Sequence, residues 1–283
     1  MFAVALPSAC AHGTFVAPTV IAIDDPKQLT REVFGPVLHV LRFREGRLPQ
    51  LIDALNATGY GLTHGIHTRI DETVDLVAQR IRAGNVYVNR NIVGAVVGVQ
   101  PFGGEGLSGT GPKAGGPHYL RRLVVEQRPV TAEEMTVTTE LPGPTGETNT
   151  LRLHPRGRIA CIAATEAAMR AQAMLAASLG NVPVLPPTPA ALRVRAAVGG
   201  QCEIAADVLL PPPAAVLFDG SEDEAAALRV VLAAGDGPLV PLLVARDGAY
   251  ASARLVCERT LTINTTASGG NATLLSLEER EPA

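Results

Sequence analysis

Short apolar runs rich in β-branched residues alternate with helical patterns along both halves of the sequence. With links this short, the alternation admits little besides parallel βαβ units. In the first half, residues 37–43 read as a strand, 48–57 as a short amphipathic helix and 61–68 as a second strand. Asp71 is the expected N-cap of a helix whose Val74, Val77, Ala78 and Ile81 share one face, with Gly84 as its stop and residues 85–89 as the next strand. Residues 14–22, TFVAPTVIA, read as another strand with little ahead of them to pair with. In the second half, residues 158–164 read as a strand, 165–179 as an alanine-rich helix ended by Gly180, and 181–185 as a strand stopped by Pro186 and Pro187. A strand at 214–218 leads to Ser221, whose hydroxyl and Glu224 predict a capping box for a helix reaching Ala234. Residues 239–245 and 255–265 are further strands.

The glycine-crowded stretch 94–116 between these patterns cannot be a regular element. That much backbone freedom is costly unless close approach to a ligand or another strand requires it. Residues 120–131 resume as a strand, a candidate edge for pairing between subunits, and LPGPTGETN (141–149) reads as a linker. The expected class is α/β, divided into residues 1–132, a linker at 133–149 and a second α/β domain at 150–283.

Composition narrows the function classes. A hydrophobic fraction of 47% with 18% charged residues is that of a globular chain with a sizeable core. The net charge of −3 leaves no electrostatic footprint for nucleic acid or anionic lipid. No apolar run approaches the roughly 18 residues of a membrane helix. The start has no basic residue before Lys27 and so lacks the basic region of a signal peptide. Cys10, Cys161, Cys202 and Cys257 form no C-x-x-C pair and read as reduced thiols of a cytoplasmic protein. Only Lys27 and Lys113 are lysines, so candidates for lysine covalent chemistry are few.

The chemical signals are individually weak. Gly104-x-Gly106-x-x-Gly109 fits a dinucleotide loop, but Pro112 and further glycines keep the next residues from opening a helix. A Walker loop fails because Pro112 separates Gly111 from Lys113. His64 and His67 face opposite sides of a strand, with no carboxylate or thiol cluster beside them, so no metal is expected. Cys202 has no His or cation nearby in sequence to lower its pKa and reads as a structural thiol. Glu32 is open to two readings, an exposed turn carboxylate or an acceptor for a ligand's hydroxyls.

In combination the motifs are specific. GTFVAPTV (13–20), EVFGPVLHV (32–40), NATGYGLTHGIHTR (56–69), GNVYVNRN (84–91) and PFGGEGLSGTG (101–111) stand in the order seen in the aldehyde dehydrogenase superfamily, which the chain resembles over roughly residues 12–127. Residues 89–117 more closely resemble the L-glutamate γ-semialdehyde (Δ1-pyrroline-5-carboxylate) dehydrogenase module of the bifunctional proline utilisation flavoenzymes. LPGPTGETN (141–149) and NTTASGGNATL (264–274) resemble the extra C-terminal domain of the longer members. The resemblance implies the C-terminal half of an aldehyde dehydrogenase catalytic domain followed by a Rossmann-like domain. It implies oxidation of the semialdehyde to glutamate with NAD⁺: a cysteine thiolate attacks the aldehyde, hydride passes to nicotinamide, and water hydrolyses the thioester. Carried over by position, Glu32 would hold the nicotinamide ribose hydroxyls, with Phe34 packing beside that end of the cofactor. Gly94 and Ala95 would bind the substrate's α-carboxylate through their amides, and Phe102 would wall its aliphatic chain.

The departures carry equal weight. The family's nucleophile lies in a G-Q-x-C-type segment well before EVFGP, and Cys10 has no such context, while Cys202 comes after it. No counterpart of the carboxylate general base or of most of the NAD-binding portion is present, so no catalytic residue is assigned. FAD is implied only for a proline dehydrogenase part that these residues do not include. The expectation is a C-terminal piece of a longer, homo-oligomeric enzyme acting on a small-molecule substrate, without turnover of its own. The second domain carries AATEAA where phosphate-binding glycines would stand, with Glu166 near the helix start, so it is expected to be a lid or assembly module without a nucleotide site. The competing reading is a non-catalytic structural or oligomerisation protein.

Overall fold

A computed structural model describes residues 1–124, 128–199 and 201–266. The chain opens with β1 (Phe2–Ala3), β2 (Thr19–Ile23) and β3 (Val37–Leu41), a sheet in that order. β2 and β3 run parallel, from Thr19 opposite Val37 to Ile23 opposite Leu41. The strand expected at 14–22 begins only at Thr19, after Pro18, which has no N–H for a ladder. It does have a partner ahead of it, because β1 closes on it antiparallel.

Next come α1 (Leu48–Asn56), β4 (Tyr60–Gly61), β5 (Thr63–Ile66), α2 (Asp71–Arg80) and β6 (Asn85–Val88). The β5–α2–β6 unit is the expected parallel crossover, with Thr63 opposite Asn85 and Ile66 opposite Val88. Ile52 of α1 and Val74 and Val77 of α2, with Ile81, bury against Val86 and Val88 in one cluster, as the helical spacing requires. Asp71 is not the cap: it is the first helical residue after extended Ile70, and with Glu72 it places negative charge at the dipole's positive end. The helix stops at Arg80, before Gly84. Gly84 has a different role, because a Cβ there would lie 1.8 Å from the Gly103 carbonyl oxygen. The glycine-rich stretch is loop as expected, apart from β7 (Glu105–Gly106), paired with β4, and a bridge between Phe102 and Ala114.

Two expectations for the middle of the chain fail. Residues 120–122 form a 3₁₀ turn rather than a strand, and 125–127 lie outside the described residues. Arg121, Arg128 and the Thr131 N–H all donate to the Glu134 carboxylate, which curls this segment instead of extending it. The supposed linker is a hairpin: β8 (Thr138–Leu141) pairs antiparallel with β9 (Glu147–Pro155) around its Pro- and Gly-rich turn, where Gly146 has φ 83°. Composition marks a turn and a linker alike, so it could not distinguish them.

The second half contains β10 (Arg158–Ala163), α3 (Glu166–Ser178), β11 (Val182–Leu185), α4 (Pro189–Val198), β12 (Glu203–Ile204), β13 (Ala215–Asp219), α5 (Glu222–Ala233) and β14 (Leu242–Val244). Its sheet is parallel in the order β12-β11-β10-β13-β14, the Rossmann order counted from β10. Ile159, Cys161, Leu185 and Leu217 from its central strands bury against Ala173 and Ala176 of α3. The Ser221–Glu224 capping box forms as expected.

The last described strand, β15 (Val256–Asn264), leaves that sheet. It lies between β6 and β9 in the order β5-β6-β15-β9-β8, parallel to β6 and antiparallel to β9 along its whole length. Sheet membership therefore crosses the expected division near residues 132–150. Residues 267–274 of the NTTASGGNATL motif lie outside the described residues. Among the described residues, no helix is long and apolar enough to cross a membrane.

Candidate substrate-anchor site

The loop leaving β6 is held by hydrogen bonds within itself and to neighbouring segments. Asn89, at φ 57°, accepts from the Thr68 N–H at 3.0 Å and donates to its carbonyl at 2.9 Å, pinning the loop to the end of β5. Arg90 stacks 5.1 Å from the centre of the Tyr87 ring. Gly94 stands further along at φ 84°, where a side chain would be strained. The turn is closed from behind by Gln100, which is only 2% exposed. Its Oε1 accepts from the Val96 N–H at 2.9 Å, and its own N–H donates to the Val96 carbonyl at 2.8 Å. Gln100 Nε2 donates to Glu147 on β9 and, at 3.4 Å, to Asn149 Oδ1.

The N–H groups of Gly94 and Ala95 meet no acceptor among the described residues, and the same holds for Val97 and Gly98. Gly94 is exposed and Ala95 half-buried. Phe102 exchanges backbone hydrogen bonds with Ala114 at 3.0 and 2.7 Å and leaves 37% of its surface open. The structure thus puts Gly94, Ala95 and Phe102 on one loop. Glu32 and Phe34 stand elsewhere, on the segment between β2 and β3, where Phe34 is 96% exposed and Glu32 makes no hydrogen bond among the described residues.

Behind the loop lies a buried polar network that sequence reasoning did not find. Lys113, one of two lysines, is fully buried, and its Nζ donates to Asn85 Oδ1 at 2.6 Å and to the Gly103 carbonyl at 2.8 Å. Burial pulls its pKa down to about 8, against the opposing pull of Glu258 and Glu105. The Lys113 N–H donates to Glu258 on β15 at 2.8 Å, and Arg259 pairs with Glu105 at 2.7 Å. Thr260 Oγ1 donates to the Pro101 carbonyl at 3.2 Å, and Arg156 to that of Thr110. The β9–β15 pair therefore lines the back of the glycine-rich loop. The scarcity of lysine was the one signal that pointed here.

Three of the four thiols are poor nucleophiles. Burial pushes Cys161 and Cys257 up to about 12 and raises Cys202. Cys10 ends a 3₁₀ turn and is half-buried. His64, half-buried on β5, is held below its usual pKa by desolvation, whereas His67 is exposed beyond the strand end.

Residues 3–128 match the aldehyde dehydrogenase family. The bifunctional protein PutA of Rhizobium meliloti is 42% identical over 325 aligned residues, covering 97% of this chain and 26% of that protein. The 1-pyrroline-5-carboxylate dehydrogenase 2 of Bacillus subtilis (strain 168) is 41% identical over 110 residues, 38% of this chain and 21% of that protein. The solved structure of proline utilization A (PutA) from Corynebacterium freiburgense shares the fold, with a TM-score of 0.62 at 23% identity over 87% of this chain and 27% of that one. The chain thus spans about a quarter of the length of the PutA relatives it matches. Residues 3–128 thus resemble the aldehyde dehydrogenase family and, over nearly its whole length, the chain is a homologue of the PutA proteins.

Proposed function

We propose that this chain supplies the carboxylate anchor of an NAD-dependent L-glutamate γ-semialdehyde dehydrogenase, which oxidises the semialdehyde to glutamate in proline catabolism. The observation that carries this reading is the pair of adjacent N–H groups at Gly94 and Ala95, without acceptors among the described residues, on a turn held by a buried glutamine. Successive amides beside a left-handed residue make an anion-binding concavity that suits a carboxylate. Phe102, on the same loop, presents an apolar ring to a short aliphatic stem.

The residues present also fit one end of NAD. Glu32 has two acceptor oxygens for the two hydroxyls of a ribose, and the exposed Phe34 ring stands two residues away. When bound, NAD⁺ supplies the hydride acceptor. The chain's own contribution is to hold the substrate's charged end and orient its aldehyde. A thiol pushed up to about 12 stays protonated at neutral pH, so neither Cys161 nor Cys257 acts as the nucleophile. These 283 residues by themselves are expected to form no NADH from the semialdehyde.

Calorimetric titration of the chain with L-glutamate and with 4-aminobutyrate, which is glutamate without its α-carboxylate, tests the anchor. Saturable binding of glutamate alone supports it; equal binding of both, or of neither, refutes it.

A structural role for the Rossmann-like unit is favoured by the start of α3. The Thr165 hydroxyl already caps the Ala168 N–H, and Glu166 in the first turn already places a carboxylate at the positive end of the helix dipole, where a phosphate would otherwise bind. NAD⁺ binding that survives Glu32→Ala but is lost on blocking this helix start with Ala164→Trp contradicts that role.

A further inference from the structure

The geometry points to Glu147, on β9 and outside the family-matched segment, as a positioning residue for the substrate anchor. This deepens the proposed function and rests on the reading of Gly94 and Ala95 as the carboxylate site. Glu147 is nearly buried, its side chain 11% exposed, and its two oxygens divide between two parts of one loop. Oε1 accepts from Gln100 Nε2, and Oε2 accepts from Arg90 Nη1 at 2.5 Å. Arg90 begins the loop that carries Gly94 and Ala95, and Gln100 ends it. One carboxylate therefore fixes both ends of the anchor turn.

The chemistry explains why a carboxylate suits this position. Gln100 uses Oε1 on the Val96 N–H, which turns its Nε2 toward β9. Only an acceptor can meet that amide, and a carboxylate has a second oxygen left for the Arg90 guanidinium, with which it makes a charge-assisted bond. Asn149 Nδ2 donates to the same Glu147 oxygen at 3.0 Å, so the carboxylate is itself held in place by its own strand. β9 is fixed in turn by its nine-residue register with β15. The anchor's shape is thus set by a strand that the family segment does not contain.

The test compares wild type with Glu147→Ala, Gln100→Ala and the exchanged pair Glu147→Gln with Gln100→Glu. In the exchanged pair the donor and acceptor trade places, and position 100 can still accept from Val96. Amide hydrogen exchange and L-glutamate affinity are measured on the 283-residue chain. In Glu147→Ala, exchange at Val96 and Gln100 is expected to rise about tenfold while Leu261 and Ile263 on β15 keep their protection. Glutamate affinity is expected to fall about tenfold, the loss of one charge-assisted hydrogen bond, and the exchanged pair to recover most of both. Unchanged exchange at Val96 and Gln100 overturns the proposal, as does faster exchange with unchanged glutamate affinity. A general loss of protection, β15 included, also overturns it if Gln100→Ala and the exchanged pair behave alike. A wild-type chain that binds no glutamate refutes the anchor reading instead, and the exchange data then decide the clamp alone.

Discussion

The ammonium of Lys113 lies 2.6 Å from Asn85 Oδ1, and this buried contact rivets the glycine-rich loop to the inner strand β6. Asn85 completes the joint: its Nδ2 donates to the Pro101 carbonyl at 2.9 Å, and its Oδ1 also accepts from the Gly103 N–H at 3.3 Å. Such a network stabilises only when each member is satisfied, because a low dielectric penalises every orphan.

Lys113→Met keeps the stem's volume but strips a donor from Asn85 and leaves the Gly103 carbonyl unpaired. A loss of about 1–3 kcal/mol is expected from urea unfolding, the usual cost of orphaning buried acceptors. No loss would show that water replaces the ammonium freely.

The same lysine gives a pH signature. Its folded pKa of about 8 lies below the roughly 10.4 of an unfolded lysine, so between those values the unfolded chain binds more protons. Stability therefore rises with pH across that window, by up to about 1.4 kcal/mol per unit from this group. Wild type should gain on Lys113→Met as pH goes from about 8 to 10, and a constant difference would contradict the assignment.

His154 on β9 predicts the acid limb. Burial, then the charges of Arg259 and Arg152, hold its pKa down to about 4, below the roughly 6.5 of an unfolded histidine. As pH falls between those values only the unfolded chain takes up the proton, so folding is destabilised. His154→Gln should flatten this limb in denaturation measured at pH 7, 5.5 and 4.5, and an unchanged slope would exclude the residue.

Gly84→Ala should be among the most damaging single changes. Its new Cβ would stand 1.8 Å from the Gly103 oxygen, so two backbones must part. A loss above about 3 kcal/mol, or failure to fold, is expected, as for severe overpacking. Ser221→Ala provides the mild contrast: it removes the cap whose Oγ accepts from the Glu224 N–H, with an expected cost of about 1 kcal/mol by thermal or urea unfolding.

Which parts were legible in the sequence depends on the range of the interactions. Ser221 and Glu224 meet three residues apart, and Val74 and Val77 share a helical face, so local pattern found both. Residues 255–265 read correctly as a strand, but alternation names no partner, and only the structure seats β15 between β6 and β9. The run at 120–131 looked like a strand because its apolar residues carried the signal; the competing pull on Arg121 and Arg128 comes from Glu134. At the site, Gly94, Ala95 and Phe102 were reached through motif resemblance. Gln100, Lys113 and Glu147 were not, because the partners that tie them to other strands lie 28 to 145 residues away and no local pattern encodes a pairing at that range.

The central claim is that the amides of Gly94 and Ala95 take a substrate carboxylate, and amide-resolved NMR during ligand titration tests it most directly. Addition of L-glutamate should move the Gly94 and Ala95 N–H resonances saturably, and 4-aminobutyrate should leave them in place. Equal shifts with both compounds, or none with glutamate, would contradict the account.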